Sequence, residues 1–188
     1  MPLPQNIWNN ENLVKVLKGG GVAVMPTDTL YGIVGKALDV SVVSRIYVIR
    51  KRDINKPCII LIGKINELEK FKIFITEAQK NEIESFKEPT SFILNCPDEK
   101  FSYLHCGSKT LAFRLPAQIG LQNLLKETGP LIAPSANLEG LPPAQNITEA
   151  KKYFGTLVDL YIDGGEIKGK ASKIIKLHKD GSVTVIRS

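Results

Sequence analysis

Apolar residues in this chain fall into short continuous runs that alternate with stretches of helical spacing. Leu13, Val14 and Leu17 follow Asn9 and Asn10, either of which can cap a helix, and Gly19, Gly20 and Gly21 end it. Residues 22–25 then read as a strand. Asp39 or Ser41 opens a second helix carrying Val42, Val43, Ile46 and Ile49, and the continuously apolar run 58–62 predicts a buried strand. Residues 66–71 read as helical, and Thr76 with Gln79 has the spacing of a capping box for a helix running to about Phe86. Strands are predicted at 92–94, 111–115 and 131–133, with a helix at 119–127 before the last of them. Thr148 caps a helix ending near Gly155, and the tail supplies strands at 158–162, 173–177 and 183–186. Lys179-Asp180-Gly181 is turn chemistry, so the last two strands form a hairpin.

This alternation predicts an α/β fold, a mixed and twisted sheet with helices packed on it. No linker, internal repeat or low-complexity tract interrupts the 188 residues, so one domain is expected. Composition supports that picture: 43% apolar and 23% charged residues are the balance of a globular chain with an ordinary core. No apolar run approaches the roughly 20 residues of a bilayer-spanning helix, so no membrane association is expected. Three cysteines, Cys58, Cys96 and Cys106, lack metal-ligand spacing, and nothing at the N-terminus reads as a signal peptide. A reducing, cytoplasmic setting is the expectation. Lysine plus arginine number 25 against 19 acids, a net charge of +6, which fits an anionic partner such as a nucleotide, a phosphate or RNA, and fits plain solubility equally well.

Walker loop, dinucleotide fingerprint, zinc signature and serine-hydrolase elbow are all missing from the sequence. Five polar segments nevertheless sit where apolar strands end, the place where open α/β sheets bind ligands. Pro26-Thr27-Asp28-Thr29-Leu30-Tyr31-Gly32 offers hydroxyls, an acid and a glycine; it is either a ligand-approaching loop or a strand-to-helix turn with an Asx cap. Arg50-Lys51-Arg52-Asp53-Ile54-Asn55-Lys56-Pro57 packs four cations into seven residues, denser than a helix end requires, and a polyphosphate would relieve the repulsion. In Thr110-Leu111-Ala112-Phe113-Arg114, period two puts Thr110, Ala112 and Arg114 on one strand face, an arginine beside a hydroxyl for a carboxylate or phosphate. Ser135 and Asn137 follow the strand at 131–133 on a turn held between prolines, with side chains able to bond a ligand. Asp163-Gly164-Gly165, followed by Gly169, Ser172 and Lys173, permits a loop whose amides face an anion, or one that is merely flexible.

Other residues invite chemistry and do not support it. His105 and Cys106 are adjacent, and adjacent side chains do not converge; His178 lies on a strand of the late hairpin as a structural residue. Trp8, Tyr47, Tyr103, Tyr153 and Tyr161 are scattered, so no base-stacking platform forms.

In order, PTDTLYG, the basic RKR followed by KP, TLAFRLP, GPLIAPSANLEGLPP and IDGG with a later serine resemble the YrdC/TsaC family of threonylcarbamoyl-AMP synthases over about residues 10–188. The resemblance implies a YrdC-like α/β fold with a largely antiparallel twisted sheet around a basic concave pocket. It also implies the first step of tRNA threonylcarbamoylation, in which L-threonine, bicarbonate and ATP give threonylcarbamoyl-AMP and pyrophosphate, with Mg2+ accompanying ATP. By the same resemblance Thr29, Arg114 and Ser172 bind threonine, with Arg114 on its carboxylate. Arg50 and Arg52 take the catalytic cation positions at the phosphates, and Arg52, Lys56, Thr110, Ser135, Asn137 and Arg187 bind ATP. Expected partners are downstream tRNA threonylcarbamoyl-transfer proteins and tRNA.

The chain departs from the family pattern at several positions: Arg50 replaces a lysine, Lys51 is inserted where a small residue is common, and Glu139 stands for a serine. Ser91 replaces a threonine, Lys173 follows Ser172, and Leu61 occupies the position of a threonine-site histidine found in some members. A reading of a different class is a non-catalytic RNA-binding module using the same basic concavity. Thr29 with Arg114 separates the two, because an amino-acid substrate needs that pair and a phosphate binder does not.

Overall fold

The computed structural model describes residues 5–188, and its helices begin where side chains satisfy their first amides. Asn10, rather than Asn9, accepts the Leu13 N–H at 3.1 Å and starts α1 (Glu11–Lys18). Asp39, rather than Ser41, accepts from Ser41 and Val42 and starts α2 (Val40–Arg50). The expected capping box is present: Thr76 and Gln79 exchange side-chain-to-backbone bonds of 3.1 Å in each direction ahead of α3 (Glu77–Ser85). A four-residue helix, α4 (Ser102–His105), and α5 (Ile119–Thr128) follow. The last helix, α6 (Ile147–Phe154), is capped by Asn146, which takes the Glu149 N–H at 2.9 Å; Thr148 already lies inside the first turn. The helical reading of 66–71 corresponds to a 3-10 helix, Ile65–Phe71.

Among the described residues nine strands make one sheet: β1 (Ala23–Pro26), β2 (Tyr31–Lys36), β3 (Ile59–Leu61), β4 (Thr90–Asn95), β5 (Thr110–Arg114), β6 (Leu131–Ile132), β7 (Leu160–Tyr161), β8 (Lys173–Leu177) and β9 (Val183–Arg187). Their order is β7-β1-β2-β6-β3-β5-β4-β8-β9, and five of the eight pairings are antiparallel, so the sheet is mixed and largely antiparallel as expected. The sequence reading missed β2. Its two glycines hide the apolar alternation, and one of them is required: a Cβ at Gly35 would collide with Val42 of α2.

Strands such as β1 are buried on both faces, which is why they read as continuous apolar runs, whereas the edge strand β9 is exposed along its length. In β1, Ala23 and Met25 join Leu13, Leu17, Leu121 and Leu125 under α1 and α5, while Val24 points the other way and packs with Ile33, Val43 and Ile46 of β2 and α2. Among the described residues no helix is long and apolar enough to cross a membrane.

Candidate active site

Several strand ends open on one cavity of about 340 Å3, lined by Thr29, Arg52, Arg114, Ser135, Ser172 and Arg187 together with Thr27, Tyr31, Cys58 and Ile59. Six of the ten residues expected to bind ligands therefore share one space, although they come from six separate segments. Arg50, Lys56, Thr110 and Asn137 do not line it.

One wall is the turn from β1 to β2. Pro26 pairs with Tyr31, so Thr27 to Leu30 is the loop of a β-hairpin and not a strand-to-helix turn. Thr27 organises it: its hydroxyl donates to the Leu30 carbonyl at 2.7 Å and accepts the Thr29 and Leu30 amides at 3.3 Å. That leaves Thr29 at the cavity and turns Asp28 inward, where its carboxylate lies 2.8 Å from Arg114 Nη2. Arg114 ends β5 and is almost wholly buried. Its Nη2 also donates to the Thr27 hydroxyl at 3.5 Å, while its buried Nε has no hydrogen-bond partner. The hydroxyl beside this arginine thus belongs to the hairpin. Thr110 does share its strand face, but four residues away, about 13 Å along the strand, and its hydroxyl meets Ser108 at 3.2 Å.

The basic segment divides between two tasks. Arg52 reaches the cavity, with Nε and Nη2 each donating at 3.0 Å to the carbonyls of Lys56 and Pro57. Arg50 turns the opposite way and is buried, donating from Nε to the Asn137 carbonyl at 3.0 Å and from Nη2 to Asn137 Oδ1 at 3.1 Å. Burial, reinforced by the charge of Arg52, pushes the Arg50 guanidinium down to about 10. Asn137 Oδ1 also accepts the Ser135 hydroxyl at 2.7 Å, and its amide donates to the carbonyls of Leu138 and Leu141. Arg50 and Asn137 form a knot under the site that fixes Ser135 and the 135–141 turn; the geometry gives them a positioning place in contrast to the direct contacts expected. Lys51 caps α2 in the left-handed region at φ 51°.

The third wall is the return from β7 to β9. Tyr31 fastens it, since its hydroxyl accepts the Gly164 N–H at 2.8 Å and donates to the Gly165 carbonyl at 2.9 Å. The Gly165 N–H goes to Asp163, so these amides are spent within the loop and do not face an anion as one reading of the glycines had it. Gly169 is needed because the loop crosses Thr29 so closely that a Cβ would collide with the Thr29 carbonyl. Ser172 is buried against Ser91, hydroxyl to hydroxyl at 2.9 Å, and its carbonyl accepts Arg187 Nη2 at 2.7 Å. Burial and the nearby Arg114 charge lower the Arg187 pKa. Lys173 points away from the cavity and stands over the Phe86 ring at 5.6 Å.

Asp28 and Tyr31 were legible only as members of a polar segment; nothing in the pattern paired the first with Arg114 or the second with Gly164. His105 is buried, with Nδ1 accepting the Gly107 N–H at 3.1 Å, and Cys106 lies beside Tyr47 instead, at 3.7 Å, so no catalytic pair forms. His178 bonds Thr184 across the late hairpin. Among the described residues no three His, Cys, Asp or Glu side chains are grouped to hold a metal ion, and Asp28 is committed to Arg114.

Sheet order and arginine-lined cavity together define an α/β domain shared with known proteins. Over 100% of this chain and 55% of the other, it superposes on a crystal structure of Pyrococcus abyssi Sua5 complexed with L-threonine, with a TM-score of 0.84 at 28% identity. Escherichia coli YciO superposes over 98% of this chain and 90% of its own, with a TM-score of 0.81 at 27% identity. In sequence, a putative threonylcarbamoyl-AMP synthase of Methanocaldococcus jannaschii is 31% identical over 181 residues, 93% of this chain and 83% of that protein. The Sua5/YciO/YrdC family model, described as telomere recombination, matches residues 15–188, and the chain belongs to that family.

Proposed function

We propose that this protein is an L-threonylcarbamoyladenylate synthase. The observation that carries the reading is that Arg114, Thr29, Ser172 and Arg52 all line one cavity. A guanidinium fork beside hydroxyls suits an amino acid bearing a carboxylate and a hydroxyl, while Arg52 suits a phosphate. Superposition on the Sua5 complex with L-threonine supports threonine as the amino acid, and relatives named threonylcarbamoyl-AMP synthase support the reaction.

In this reading the threonine amine and bicarbonate condense to a carbamate with loss of water. A carbamate oxygen then attacks the α-phosphorus of ATP, forming the P–O bond of threonylcarbamoyl-AMP as the bond to pyrophosphate breaks. Such a transfer depends mainly on positioning and neutralisation of charge. Arg114 offers its unpartnered Nε edge to the threonine carboxylate, Thr29 meets the substrate hydroxyl, and Arg52 and Arg187 meet the phosphates. Arg50 and Asn137 hold the Ser135 turn against the nucleotide. Magnesium is proposed to enter with ATP, held by phosphate oxygens and water, since the described residues offer no carboxylate cage for it. The product would pass to proteins that transfer the threonylcarbamoyl group to tRNA. An RNA-binding module is not favoured, because a buried arginine against hydroxyls is of no use to it.

Incubation with threonine, bicarbonate and labelled ATP tests the proposal: pyrophosphate and an AMP adduct are expected only when threonine is present. Release of pyrophosphate independent of threonine would overturn it.

A further inference from the structure

The loop that leaves α2 presents two outward donors just outside the cavity lining: Lys56, which the resemblance assigns to ATP, and the Asp53 N–H. Its inner side is fixed: the Lys56 carbonyl accepts from Arg52 at 3.0 Å and from the Tyr47 hydroxyl at 2.9 Å, and Asp53 takes the Asn55 N–H at 2.9 Å. The Asp53 N–H and the Lys56 ammonium face outward, beside Arg52 and Pro57 of the cavity wall. Both meet a single carboxylate from the 135–141 turn. Glu139 Oε1 lies 2.6 Å from Lys56 Nζ, and Oε2 accepts the Asp53 N–H. The Glu139 N–H donates to the Arg50 carbonyl at 2.9 Å, which brings the carboxylate to that place.

One ammonium and one backbone amide converging on two oxygens of one anion is also how a phosphate is held. We propose that the Glu139 carboxylate occupies, on Lys56 Nζ and the Asp53 N–H, the place of a phosphate of the nucleotide, and that Glu139 thereby sets nucleotide affinity. This inference rests on the reading of the cavity as an ATP site. The bond with Lys56 holds the Glu139 carboxyl below its ordinary range, so it is anionic at neutral pH and opposes an incoming phosphate. The Glu139–Lys56 contact is half open to water, with side chains 25% and 58% exposed, so a polyphosphate that makes more contacts can displace the carboxylate.

Calorimetric titration of the full chain with magnesium–ATP, and separately with inorganic pyrophosphate, both without threonine, tests the subsite. In E139Q and in E139S both anions should bind about 3- to 10-fold more tightly than in wild type at low salt, with the gain shrinking as salt rises. E139Q/K56A should lose the gain. Equal or weaker affinity in E139Q and E139S would overturn the inference and leave Glu139 as a staple of the turn. ATP bound equally by wild type and E139Q removes this inference alone, whereas no ATP binding by any variant removes the synthase reading and the subsite with it.

Discussion

Arg114 and Asp28 form an ion pair of 2.8 Å whose side chains are only 4% and 2% exposed. The pair joins the end of β5 to the hairpin turn, so one contact fixes both Arg114 and the loop that carries Thr29. Removing one partner leaves a buried charge without its counterion, which costs about 3–5 kcal/mol. Asp28→Asn should lower unfolding stability by that order in a denaturant titration. Stability equal to wild type would show that Arg114 finds another acceptor.

Arg114→Lys should be poorly tolerated although it keeps the charge, because lysine lacks the planar fork that divides between Asp28 and a ligand. Threonine KM in the synthase assay should rise at least tenfold. A lysine variant with wild-type threonine dependence would contradict the assignment.

Arg52→Ala should weaken ATP binding by about 1.5–3 kcal/mol, the worth of a hydrogen bond to a charged group, and leave threonine binding nearly untouched. Calorimetry with each ligand separates the effects. Unchanged ATP affinity would reduce Arg52 to a clamp on the Lys56 and Pro57 carbonyls.

Tyr31→Phe removes both bonds that fasten the 163–165 loop, at 2.8 Å and 2.9 Å. The Gly165 carbonyl and Gly164 amide then lose a part-buried partner, worth about 1–3 kcal/mol. Hydrogen exchange should speed up across 163–172, where the loop crosses Thr29. Unaltered exchange would show that packing of the ring alone holds the loop.

Asp159 ties the β7 strand to the start of the chain, accepting the Val22 N–H at 2.7 Å and Arg45 Nη1 at 2.6 Å. The hydrogen bond from Arg45 is the first cause of a carboxyl pKa held below the ordinary 3.8. A depressed folded-state value contributes stability above the unfolded pKa and loses it as pH falls through the folded one. With the side chains 39% and 40% exposed, solvent screening limits the contribution to at most about 1 kcal/mol. Thermal melts between neutral pH and pH 3 should therefore show a smaller acid loss for Asp159→Asn than for wild type; parallel curves would remove Asp159 from the acid limb.

Local chemistry made much of this protein legible. Capping depends on side chains within three residues of the amides they satisfy, so the starts of α2 and α3 could be read from Asp39 or Ser41 and from Thr76 with Gln79, and only the choice between neighbours was open. Thr148 lies inside the helix because Asn146, two residues earlier, accepts the Glu149 N–H and starts it there. β2 escaped because Gly35 answers to helix α2, a contact that sequence spacing does not express.

By itself the sequence determined the alternation of elements, the buried strand at 58–62 and the segments from which a ligand site would be drawn. Those follow from apolar periodicity and from residue chemistry, which act over a few residues. Which member of each segment reaches the cavity was decided only by the tertiary structure. Arg52 faces it and Arg50 does not, because Asn137, 87 residues away, accepts the Arg50 guanidinium from beneath. The hydroxyl that meets Arg114 is Thr27 and not Thr110, because β-strand periodicity fixes the face of a side chain but not its neighbour along the sheet. Both choices are pairings across long sequence separation, set by strand order and loop closure, and no local pattern encodes them.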